Sequence, residues 1–104
     1  MVNPLSFLKR LFRRSGEIAS KKPVGKFKVD SVLDDGAISG EVLDGIIYSG
    51  YKLKPKGKKI VVPIMKIMRG KEEIEFAIEY DRVILLPEDK LKVEEGEILE
   101  VYAS

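Results

Sequence analysis

Five lysines, Lys52, Lys54, Lys56, Lys58 and Lys59, fall within eight residues of this chain, and Tyr51 stands directly before them. Lys66, Arg69 and Lys71 gather around a second turn, and Lys9, Arg10, Arg13 and Arg14 form a third cluster near the N-terminus. Flexible cations of this kind contact nucleic-acid phosphates, while exposed aromatic rings stack on unpaired bases. Tyr48 and Tyr51, on either side of Gly50, are the better placed rings; Tyr102 reads as part of a closing strand. A second reading stays open beside this one. Lysines on loop tips and strand edges also keep sheets from pairing edge to edge.

The residue types needed for most active sites are missing. The chain has no His and no Cys, which removes the commonest general base, the thiolate nucleophile and the soft metal ligands. Glu72, Glu73 and Glu75, and likewise Glu94, Glu95 and Glu97, lie in or beside turns among lysines, so they read as solvated charge rather than as oxygen ligands for a hard cation. Asp34-Asp35-Gly36 lacks the further ligands of a calcium loop and reads as a turn. A phosphate loop of the form G-x-x-x-x-G-K-[ST] does not occur. The expectation is a protein that is not an enzyme and holds neither cofactor nor metal.

With 104 residues the chain suits one domain with one modest core. Charged residues make up 35%, Cys is absent and Asn3 is the only side-chain amide, a composition like that of a hyperthermophile protein. It points to the cytoplasm. No apolar run reaches the roughly 20 residues that span a bilayer, and Lys9, Arg10, Arg13 and Arg14 interrupt the apolar residues where a secretory signal would need them continuous. The formal net charge of +2 conceals an asymmetry, since residues 1–23 carry six bases against Glu17 alone while the remainder is mildly acidic.

Two periods divide the chain. In LSFLKRLFRR, residues 5–14, Leu5, Leu8, Leu11 and Phe12 recur at helical spacing with the bases mostly opposite. Residues 1–16 therefore read as a short basic amphipathic helix, residues 17–23 as a tether and residues 24–104 as a β domain. In the β domain, strands are expected over 26–33, 37–43, 51–54, 59–68, 74–79, 83–86 and 98–102, with Phe27, Val29 and Leu33 sharing a face and Pro63 marking an edge or bulge. Six or seven short strands with frequent turns describe a small antiparallel barrel or sandwich.

Gly40, Gly45 and Gly50 recur every five residues through GEVLDGIIYSGYKL. Glycine permits the bulges and positive φ angles at the corners of a small barrel, although it can also mark a ligand approaching the backbone, as at Gly50. This stretch, from Ser39-Gly40 through Gly45-Ile46-Ile47 to Leu53, resembles the domain II β-barrel of translational GTPases of the elongation factor Tu type. The strand from Ile60 to Ile67, the segment from Ala77 to Val83 and the closing Glu95-Gly96-Glu97-Ile98-Leu99 resemble later parts of that barrel in the same order. Tyr80 stands where the family usually has Gly.

The resemblance covers about residues 24–103 and implies an all-β domain II-type barrel, here preceded by the basic helix. A stand-alone barrel with a basic arm is similar to small archaeal tRNA-binding proteins. The implied function is non-catalytic binding of tRNA or another structured RNA, through phosphate contacts from the arm and the two lysine clusters. Alternatives are a protein-interaction or membrane-associated module that docks through the N-terminal helix, and a scaffold subunit of a ribonucleoprotein enzyme. The helix has three open readings: contact with RNA, packing on its own barrel or a sister chain, and the less favoured anionic membrane.

Overall fold

The computed structural model describes residues 22–103, and the expected N-terminal helix lies outside them. Nine strands follow in chain order: β1 (Gly25–Val32), β2 (Ile38–Gly45), β3 (Ile47–Tyr48), β4 (Lys52–Pro55), β5 (Val62–Arg69), β6 (Glu72–Ile74), β7 (Phe76–Ala77), β8 (Arg82–Pro87) and β9 (Ile98–Tyr102). The main sheet runs β4-β9-β1-β2-β8-β5-β6, and β5 also pairs with β4. That last pairing closes six antiparallel strands into a barrel, leaving β6 as an extra strand on β5; β3 and β7 form a separate two-stranded ribbon. Closure pairs both edges of the six barrel strands, which would otherwise template association, and among the described residues leaves open edges only on the short β6 and the β3–β7 ribbon.

Alternation fills the barrel. Phe27 and Val29 of β1, Leu53 of β4, Ile64 and Ile67 of β5, Leu85 of β8, and Leu99 and Val101 of β9 point inward and are buried. Leu91 and Val93, in the irregular segment before β9, join the same core. No polar or charged residue is buried among the described residues. Hydrophobic burial supplies the main favourable term.

Two expectations need correction. Leu33 does not share the face of Phe27 and Val29 but is exposed, because the β1–β2 register shifts between Val29 and Ser31 and the bulge reverses the phase beyond it. The single strand expected over 74–79 is two: β6 pairs with β5, and the chain then leaves the barrel so that β7 pairs with β3. The bulge in β5, between Ile64 and Lys66, begins one residue beyond Pro63.

The three glycines have structural duties. At Gly40 a Cβ would lie 2.7 Å from the Phe27 ring and closer still to the Lys28 carbonyl. Gly45 has φ +77° and packs against the Val24 backbone, so it serves both a left-handed turn and a close approach. Gly50, at φ +92°, turns the chain from the ribbon into β4, and its N–H donates to the Ile64 carbonyl. Tyr80 adopts the same left-handed conformation with φ 75°, so the backbone expected of a glycine is kept by a tyrosine.

Candidate nucleic-acid interface

Lys52 and Lys54 alternate with the buried Leu53 and Pro55, so both project from the outer face of β4. Register places Lys54 beside Glu100 of β9, and Glu100 in turn beside Lys26 of β1. Lys28 follows Lys26 on the same exposed face, with Ile98 as its neighbour on β9. Strands about 4.8 Å apart bring these side chains onto one surface. The outer face of β4, β9 and β1 thus carries Lys26, Lys28, Lys52 and Lys54 about Glu100, while β2 sets Asp44 beside Lys26 and Glu41 beside Lys28 along its margin.

The face continues into the β4–β5 turn. Lys56, Lys58 and Lys59 are exposed there, and the Lys56 N–H donates to the Ile98 carbonyl at 3.3 Å. Lys58 Nζ donates to the Lys92 carbonyl at 3.3 Å, on the wall of an open depression also lined by Val93, Glu94 and Glu97. Within the face, Lys54 Nζ donates to Glu100 Oε1 at 3.3 Å, and the Tyr102 hydroxyl donates to the same oxygen at 3.0 Å. Burial, with Glu100 adding to it, raises the pKa of the Tyr102 phenol above its ordinary value.

The sequence clusters therefore part company. Lys52, Lys54, Lys56, Lys58 and Lys59 come together, whereas Lys66, Arg69 and Lys71 lie toward the far end of β5. An eight-residue strand separates the two turns by about 25 Å. Arg69 is further engaged, its Nη2 donating to Asp81 Oδ2 at 2.9 Å. Tyr51 is half-buried against the core, with its ring centroid 5.3 Å from that of Tyr48. Lys9, Arg10, Arg13 and Arg14 lie outside the described residues. Lys26 and Lys28 were not singled out from the sequence. Their alternation with Gly25, Phe27 and Val29 turns them outward, but only the β1–β9 register shows that they meet the β4 lysines.

No group of three or more metal-ligating side chains that could hold an ion occurs among the described residues. No helix there is long and apolar enough to cross a membrane.

The closed six-stranded antiparallel barrel is of the kind found as a domain of translational GTPases. Residues 22–100 match the family model described as Elongation factor Tu domain 4, and the chain belongs to that family. Among solved structures it is similar to GDP-bound aIF5B from Aeropyrum pernix, with TM-score 0.67 and 23% identity over 96% of this chain and 18% of that one. It is also similar to the bacterial selenocysteine-specific elongation factor EF-Sec, with TM-score 0.62 and 22% identity over 92% of this chain and 17% of that one. The chain thus spans less than a fifth of the length of either factor. No curated protein matches it. The resemblance to translational-GTPase barrels drawn from the glycines and the later segments is borne out, and the matching family is described by the fourth domain.

Proposed function

We propose that this chain is a non-catalytic, cytoplasmic RNA-binding module of the translation apparatus, with tRNA its favoured ligand. The observation that carries the reading is the lysine face of β4, β9 and β1, continued by Lys56, Lys58 and Lys59. Its cations can neutralise successive phosphates along one backbone, supplemented by Lys9, Arg10, Arg13 and Arg14 of the arm. Recognition by a rigid sheet face carrying lysines is recognition of shape and charge, so base preference is weak. Belonging to a family named for an elongation factor supports a place in translation. The absence of His and Cys from all 104 residues favours binding over catalysis.

The test is a titration of fluorescently labelled tRNA against the full chain at low and high salt. Affinity should fall steeply with salt. Replacing Lys26 and Lys54 with Glu should weaken binding about tenfold or more at low salt, and the same reversal at Lys66 and Lys71 should weaken it less. Failure to bind tRNA at low salt, or equal losses from both pairs, would refute this assignment.

A further inference from the structure

The β3–β7 ribbon turns one face into the core and the other to solvent. Ile47 and Ala77, opposite one another, are buried. The residues on either side of that pair are exposed: Ile46 45%, Tyr48 42%, Phe76 49% and Ile78 46%. Tyr48 and Phe76 are register partners with ring centroids 5.6 Å apart, and Tyr51 extends the cluster. Four large apolar side chains side by side on a short ribbon form a surface suited to a partner, unlike isolated exposed residues.

Charge excludes RNA from this surface. Residues 72–81 carry Glu72, Glu73, Glu75, Glu79 and Asp81 with no Lys or Arg, and residues 44–51 carry Asp44 alone. Arg69 offsets part of this, pairing with Asp81 and standing opposite Glu72, which leaves Asp44, Glu75 and Glu79 nearest the ribbon. A phosphate backbone meets net repulsion there, whatever the rings offer for stacking. A basic amphipathic segment meets attraction from the rim and burial from the centre.

The chain contains one such segment, and it is tethered beside the ribbon. Residues 1–21 hold Leu5, Leu8, Leu11 and Phe12 with Lys9, Arg10, Arg13, Arg14 and Lys21 against Glu17 alone. The described chain enters through Val24, whose N–H donates to the Val101 carbonyl at 2.7 Å. The next residue, Gly25, pairs with Gly45, which directly precedes Ile46. Eleven residues, 13–23, can reach at most about 36 Å, against roughly 7 Å from Ile46 to Tyr48 along the ribbon. A tether this short holds the arm at an effective concentration on the order of millimolar.

We propose that the N-terminal segment Leu5–Phe12 docks intramolecularly on the outer face of the β3–β7 ribbon, covering Ile46, Tyr48, Phe76 and Ile78. Its apolar side chains are seated on the ribbon and its bases face the rim made by Asp44, Glu75 and Glu79, so the arm supplements the lysine face only when undocked. The site lies at the end of the lysine face where Tyr51 leads into Lys52. This inference does not depend on RNA binding.

The chain has no Cys, so Ser6→Cys gives a single site for a nitroxide label on the full protein. In an isotope-labelled sample, amide signals of residues 46–48 and 76–78 should broaden selectively and independently of protein concentration. Mixing nitroxide-labelled, unenriched chain with enriched, unlabelled chain should leave those signals sharp. Adding Leu8→Glu and Phe12→Glu, which leaves the barrel sequence intact, should lower the docked-to-free ratio at least about tenfold. Broadening over the whole barrel, or concentrated on the lysine face, would overturn the proposal. So would broadening that arises only in the mixed sample, which would mean a second copy as the occupant.

Discussion

Lys54 and Glu100 form an ion pair with Nζ 3.3 Å from Oε1, and the carboxylate stands in register between Lys54 on β4 and Lys26 on β1. Glu100 limits like-charge repulsion on the lysine face, and it also cancels part of the charge that RNA would meet. Glu100→Gln keeps the shape and an acceptor for Tyr102 while removing the negative charge. We expect tRNA affinity to rise several-fold at low salt and the slope of log K against log salt to steepen by about one contact. Folding stability should change by no more than about 1 kcal/mol, the scale of a single ion pair near the surface. Parallel titrations at four salt concentrations and a thermal melt measure both.

The phenol of Tyr102 has its pKa raised first by burial and then by Glu100. A group whose folded pKa exceeds its unfolded value binds its proton more tightly when folded. Its contribution is complete below the unfolded value of about 10 and is lost as pH rises through the folded value. Denaturant titrations between pH 8 and 12 should therefore show an alkaline loss of stability. In Tyr102→Phe that component should shrink, while stability at pH 8 falls by about 1 kcal/mol for the lost hydrogen bond. An unchanged alkaline slope in the variant would assign the loss to other groups.

Gly40 separates steric need from conformational need. Its φ is not positive, yet an added Cβ would press into the Phe27 ring of the core and the Lys28 carbonyl of the barrel wall. Gly40→Ala should cost about 3 kcal/mol, at the upper end of ordinary overpacking. Gly57 has open space around it and φ +82°, so Gly57→Ala should cost only about 1 kcal/mol from the left-handed backbone. Equilibrium urea unfolding of both variants ranks the two effects.

These contrasts show what was legible in the sequence and what was not. Alternation in Phe27-Lys28-Val29 and in Ile98 to Tyr102 placed strands well, because one face of each is buried and period two is then enforced. Leu33 went astray because a bulge leaves no mark in residue type. The β3 and β7 strands have two residues each, too short for any period to register. The β4 lysines were visible as a run, but their union with Lys26 and Lys28 depends on β9 arriving between two segments far apart in sequence. Such long-range register is a property of barrel closure rather than of any local stretch.

The last prediction concerns Tyr80, a non-glycine residue at φ 75°. Its backbone is held by a hydrogen bond from its N–H to the Val42 carbonyl at 2.7 Å and by one from the Asp81 N–H to the Ile78 carbonyl at 3.0 Å. Asp81 Oδ2 adds a further clamp, accepting from both the Ile78 N–H and Arg69 Nη2 at 2.9 Å. These bonds fix the corner whatever residue occupies it, and the left-handed conformation costs a side chain about 1 to 2 kcal/mol. The Tyr80 side chain is exposed and recovers little of that through packing. Tyr80→Gly should therefore stabilise the fold by up to about 1 kcal/mol, after the greater unfolded-state freedom of glycine is offset. Tyr80→Val, β-branched at the same φ, should destabilise it. Differential scanning calorimetry of the three proteins decides the matter: a wild type more stable than both variants would show that the Tyr80 side chain holds the corner through contacts of its own.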